Sequence, residues 1–261
     1  MDLQLEGRRA LVTGASKGIG RAVAETLAAE GCAVAIAGRN RETLDAAAAA
    51  IRDRAPGVEI DVHVADLSRA ADQQRLAEAC AGADILVNNA GAAAAGSLDE
   101  TEMELWHESW ALKVFGYINL SRLHYRAMKA RGGGVIVNVI GYAGERLNAR
   151  YIVGTTANAA LMAFTRSVGS EAPDFGVRVI GVNPGYTATD RAEDQLRSFS
   201  EKKFGTPDRW RDIEAEMNLP FGRMARTGEI ADMVAFLASP RASYMSGSIV
   251  TVDGGAANRN G

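Results

Sequence analysis

Two hydrophobic rhythms alternate along this chain. Residues 10–13, 33–37, 85–87, 135–140, 177–182 and 248–252 are short apolar runs bounded by glycine or polar residues, the pattern of strands covered on both faces. Residues 58–64 alternate apolar and polar and read as one more strand. Between the runs, apolar residues return every three or four positions. Ile19, Val23 and Leu27 share one helical face, as do Leu44, Ala47, Ala48 and Ile51 in a helix over 41–54. Ser68 is an expected N-cap, and Thr101-Glu-Met-Glu104 reads as a capping box opening one long helix with Trp106, Trp110, Val114 and Ile118 in a stripe. Further helices are expected from near Tyr151 and over 229–238. Strand and helix alternate from the start, so the expected fold is a doubly wound α/β domain: a parallel sheet with right-handed crossovers and helices on both faces.

The 261 residues, 47% of them hydrophobic, suit one large single-core domain over 1–261. A net charge of −3 with both signs interspersed leaves no basic stripe for nucleic acid and no polybasic membrane segment, so a small-molecule substrate is the expected partner. No apolar run has the length of a membrane span and residues 1–9 lack a signal-type apolar core; a cytoplasmic location is expected. Cys32 and Cys80 sit in apolar patterns as buried thiols, and His63, His107 and His124 lack ligand spacing, so no metal is expected.

Chemistry enters at Gly14-Ala-Ser-Lys-Gly-Ile-Gly20, which links the first strand to the first helix without a gap. Glycines allow the tight turn and a close backbone approach, and the helix N-terminus offers free N–H groups to a pyrophosphate. The second strand ends in Gly38-Arg39-Asn40 where an acidic residue would accept from an adenosine 2′-hydroxyl. Arg39, with Lys17 in the glycine turn, instead suits a 2′-phosphate, so the expected cofactor is NADP(H).

The glycine turn with Thr13, Asp66-Leu67, Asn88-Asn89-Ala90-Gly91, Asn183-Pro184-Gly185 with Thr187 and Thr189, and Asp253-Gly254-Gly255 together resemble the short-chain dehydrogenase/reductase family over essentially the whole chain. The resemblance implies a single Rossmann-type domain with a seven-stranded parallel sheet, assembled as a tetramer or dimer. It implies a cofactor-binding set of Gly14, Ser16, Lys17, Gly18, Ile19, Gly20, Arg39, Asn40, Asp66, Leu67, Asn88, Ala90, Gly91, Ile140, Asn158, Pro184, Gly185, Thr187 and Thr189. The charged span 190–222 corresponds to the family's substrate-covering lid.

In that family a Ser binds the substrate carbonyl, a Tyr is the general acid/base, a Lys holds the ribose and an Asn anchors a relay water. Aligned on the strand end and on the helix up to Pro184, this chain carries Gly141, Gly154, Asn158 and Lys113 at those four positions. A rival register puts Tyr151 at the acid, but then Thr155 stands where the Lys belongs. Candidate replacement acids are Tyr151, Tyr142, Tyr186 and Lys113. The leading expectation is an NADP(H)-dependent oxidoreductase acting on a small carbonyl or alcohol with a nonstandard proton donor. The alternatives are an inactive cofactor-binding protein, as sensor or partner subunit, and a lyase-type use of the fold.

Overall fold

Short runs of Val, Ile, Leu and Ala bounded by glycine and without a polar face suit strands inside a sheet, where both faces are covered and each buried N–H and C=O finds a partner. The computed structural model, which describes residues 1–259, pairs all of them. The strands are β1 (Arg9–Thr13), β2 (Ala33–Gly38), β3 (Ile60–Val64), β4 (Ile85–Asn88), β5 (Gly134–Val139), β6 (Val177–Pro184) and β7 (Ile249–Val252), all parallel in the order β3-β2-β1-β4-β5-β6-β7. The helices between them are α1 (Gly18–Ala29), α2 (Arg41–Arg54), α3 (Ala70–Ala79), α4 (Met103–Trp110), α5 (Gly116–Arg131), α6 (Ile152–Glu171), α7 (Asp190–Phe204), α8 (Trp210–Glu216) and α9 (Thr227–Ala238).

Strand side chains alternate between faces, so neighbouring residues enter different cores. Val12, Val87 and Val137 pack with Leu27, Ile51 and Val234 from α1, α2 and α9. Leu11, Leu86 and Ile136 pack on the other face with Leu76, Leu120 and Met128 from α3 and α5. Each such buried side chain contributes roughly 1.5–3 kcal/mol. The winding reverses between β1 and β4, and at such a switch point the strand ends open a crevice.

Cys32 and Cys80 are buried free thiols and His124 is packed in the interior. Among the described residues no helix is long and apolar enough to cross a membrane, and no group of three His, Cys, Asp or Glu is placed to hold a metal ion.

Three local expectations differ from the structure. Ser68 does not cap α3: its N–H and hydroxyl both turn back to Asp66, at 3.1 and 2.7 Å, and Arg69 becomes the N-cap. The Thr101/Glu104 capping box does not form, because Thr101 donates to Ser97 O at 2.9 Å and α4 starts after Glu102. The long helix is not continuous. Ala111–Phe115 is a π-helical turn, and the extra residue rotates the stripe so that Val114 is buried while Trp106, Trp110 and Ile118 are only half-buried. Downstream the inward face is Tyr117, Leu120, His124 and Met128.

Candidate active site at the strand ends

The C-terminal ends of β1, β4 and β5 open into one cleft of about 540 Å3. At one end, Gly14 turns with φ of 64°, and a Cβ on it would stand 2.8 Å from Ala90 Cα. Glycine is therefore what lets the loops after β1 and β4 meet. Thr13 and Asn89 lock that meeting. Thr13 Oγ1 accepts from the N–H groups of Asn89 and Ala90 at 2.9 and 3.1 Å, and Asn89 Nδ2 donates to Thr13 O and Gly14 O at 2.9 and 3.2 Å. The N-terminus of α1 carries no side-chain cap, so its first N–H groups are free for an anion, the fit a dinucleotide phosphate requires.

Lys17 and Arg39 line this end together with Ser16, Gly18, Ile19 and Leu67. Thr189 closes over Gly18, with its Cγ2 3.3 Å from where a Cβ would be, and caps α7 by accepting from Ala192 N–H. Asp66 lies beside the lining; hydrogen bonds from Ser68 hold its carboxyl below the usual range, assisted by Arg39. Asn40 is exposed and caps α2 through Thr43 N–H at 2.9 Å.

The opposite end is assembled from distant segments. Ala90, Gly91, Ile140, Gly141 and Pro184 line it with Lys113, Leu112 and Arg191. The π-helical turn drives Lys113 inward until only 7% of it is exposed, with its stem 3.1 Å from the Cβ position of Gly91. Its Nζ donates to Ile140 O at 2.8 Å and stands 5.8 Å from the centroid of the Tyr117 ring. Burial, reinforced by Arg191, draws the ammonium pKa down to about 8. Arg191 itself bridges α7 to the β4 loop, donating to Gly91 O at 3.2 Å and Ala93 O at 3.0 Å.

Several residues expected at the site stand behind the lining. Asn88 is wholly buried and donates to Ser121 Oγ and Asn138 Oδ1 at 3.0 and 2.9 Å, a strut under the cleft. Asn158 is also buried; its Nδ2 lies 3.0 Å from the Cβ position of Gly141, and its Oδ1 has no partner. Gly141 holds φ of 130°, a region that excludes most side chains. A Cβ on Gly154 would fall on the ring of Tyr151, which folds back over the first turn of α6. Burial raises the Tyr151 and Tyr142 hydroxyl pKa values. Tyr142 meets Tyr186 edge to face at 6.0 Å, and Tyr186 faces a different cavity with Phe221 and Asp253. Gly20, Gly185 and Thr187 are structural neighbours; Thr187 donates to Gly185 O at 3.0 Å.

Residues 8–198 match the family model described as short chain dehydrogenase. The chain belongs to the short-chain dehydrogenase/reductase family. It is 37% identical over 258 residues to a galactitol 2-dehydrogenase (L-tagatose-forming) of Cereibacter sphaeroides, covering 97% of this chain and 96% of that protein. It is 36% identical to L-xylulose reductase of Bos taurus, covering 98% of each. Among solved structures, L-sorbose reductase from Gluconobacter frateurii, complexed with NADPH and L-sorbose, superposes with a TM-score of 0.90 at 30% identity, over 97% of this chain and 98% of that one. As a member of this family the chain has oxidoreductases for relatives.

Leu112 and Arg191 are not among the residues the sequence singles out, and Asn89 enters there only as a member of the Asn88–Gly91 motif. Asn89 adjoins Asn88 in the same motif, and a strand ending at Asn88 turns successive side chains to opposite sides, so the period-2 rule was the available signal. Nothing local marks Arg191, whose role depends on α7 returning to the β4 loop.

Proposed function

We propose that this protein is an NADP(H)-dependent oxidoreductase acting on a small carbonyl or alcohol substrate, with a proton donor other than the tyrosine its family uses. The observation that carries the cofactor reading is the pair Lys17 and Arg39 on one end of the cleft, with no acidic residue at the end of β2. Two cations there suit a 2′-phosphate. The uncapped α1 N-terminus would hold the pyrophosphate, Leu67 and Ala65 the adenine side, and Gly91, Ile140 and Thr189 the nicotinamide end. The cofactor, when bound, supplies or takes the hydride, and this chain orients it. The named relatives act on galactitol, L-xylulose and, in the structure with NADPH, L-sorbose, which favours a small hydroxylated carbonyl compound.

Binding followed by cofactor fluorescence tests the reading. NADPH is expected to bind more tightly than NADH, and Lys17→Ala and Arg39→Ala each to weaken NADPH about tenfold with NADH little changed, the worth of one charge-assisted hydrogen bond. An NADH preference overturns the cofactor assignment. Absence of NADPH oxidation across a broad panel of hydroxyketones and aldehydes favours the inactive cofactor-binding alternative.

A further inference from the structure

We infer that Lys113 is the general acid/base of the reaction, delivering its Nζ proton to the substrate carbonyl oxygen in reduction and taking it back in oxidation. This rests on the oxidoreductase reading above and names the group that reading leaves open. Three observations converge on Lys113. First, of the four candidate groups it alone lines the cleft; Tyr142 and Tyr151 are not part of its lining, and Tyr186 lines another cavity. Second, Nζ is anchored on Ile140 O at 2.8 Å, the residue before Gly141. Gly141 stands where the family places the side chain that meets the substrate carbonyl, and it lines the same cleft as Lys113, so Nζ is held one residue away from that position. Third, Tyr151 occupies the start of the path a side chain at position 154 would take, so the usual route for a proton donor is filled.

The ammonium has three protons and its hydrogen bond to Ile140 O uses one. As the carbonyl carbon accepts hydride, its oxygen takes the electron pair of the C=O π bond and then a proton from Nζ. Nζ is left as a neutral amine and is reprotonated from water. The low pKa, about 8, places both forms within reach at neutral pH. The charged and titratable groups that act on it are Tyr117, whose ring centroid lies 5.8 Å from Nζ, and Arg191 from α7; Asp190 and Asp194 of α7 line the same cleft. Of these, Arg191 acts to lower the Lys113 pKa further.

The test uses the full chain with Lys113→Met, Lys113→Asn and Lys113→Arg, because Asn is the family's residue at this position and fits the fold. In the wild type, kcat for reduction is expected to fall as pH rises through about 8, with oxidation rising in the same range. Lys113→Met and Lys113→Asn are expected to lower kcat at least 100-fold with NADPH affinity within about threefold, and Lys113→Arg to lose the inflection. A readout that needs no turnover is 15N NMR of the five lysines of the cofactor-free protein, where the resonance lost in Lys113→Met should titrate at about 8, well below the ordinary lysine range. Variants that keep wild-type kcat and pH profile overturn the assignment while the oxidoreductase reading stands. A wild type that turns over no carbonyl compound overturns both.

Discussion

At the β1–α1 end of the cleft the loops after β1 and β4 are tied together by backbone-directed hydrogen bonds around one glycine turn, whereas at the β5–α6 end Lys113, Ile140, Tyr151 and Arg191 arrive from four separate stretches of chain. The first end is dense: Thr13 and Asn89 hold the N–H groups of Asn89 and Ala90 and the carbonyls of Thr13 and Gly14, and leave the first N–H groups of α1 free. The second carries a buried ammonium on a neutral carbonyl, an unpartnered Asn158 Oδ1 and a tyrosine ring lying over a glycine. One end is arranged for affinity through geometry that only glycine permits. The other holds groups in costly surroundings, as sites of chemistry do.

The largest expected effect breaks the first end. A Cβ on Gly20 would collide with Gly14 O and the Asn89 amide, and a backbone oxygen cannot retreat. Gly20→Ala is therefore expected to cost ~3 kcal/mol in urea unfolding and to remove nucleotide binding. Unchanged binding would show that the turn adapts and that the two ends differ less than their packing indicates.

The second end should respond in the opposite sense. Lys113→Met removes a buried charge, a gain of ~3 kcal/mol less ~1 kcal/mol for the lost hydrogen bond, so a net stabilisation of ~2 kcal/mol at pH 7. Between about 8 in the folded state and the ordinary lysine value, the unfolded chain holds a proton that the folded chain has released. Wild-type stability therefore rises with pH across that window, and the advantage of the methionine variant should vanish above it. A variant less stable than wild type at pH 7 would mean that the ammonium is well solvated by the cleft.

The smallest effect is a coupling. Gly154→Ala is expected to cost ~1 kcal/mol despite alanine's better helix propensity, because the new Cβ meets the Tyr151 ring. In a Tyr151→Ala background the same change should become neutral or stabilising, a coupling of ~1–2 kcal/mol in thermal or urea unfolding. Equal costs in the two backgrounds would show that the ring is not what fills the space. For the same reason, restoring a tyrosine at position 154 requires position 151 to be vacated first.

Much of this molecule was legible in the order of its residues. The strands, the glycine turn, the helix over Arg41–Arg54 and the Lys17/Arg39 pair follow from local pattern, because strand burial and turn chemistry act over a few residues. The assignment of Gly141, Gly154, Asn158 and Lys113 to the family's catalytic positions rests on sequence register alone. What escaped was set by competition between neighbours. Ser68 and Thr101 are good cappers, but each found a closer partner in Asp66 or Ser97, so the helices begin later. Trp106, Trp110, Val114 and Ile118 have helical spacing, and no local rule marks the extra residue in the π-helical turn that shifts the face.

By itself, then, the sequence determined the doubly wound sheet and the nucleotide end, since both depend on hydrophobic period and on glycine at fixed places along one stretch. Only the tertiary structure decided what occupies the ground left by Gly141 and Gly154. Asn158 closes on Gly141 from one turn of α6 below, Tyr151 lies across Gly154, and Lys113 reaches Ile140 O from another helix. Such arrangements depend on which side chains meet across the core and how far a helix is over- or underwound, and these are settled only when distant segments pack.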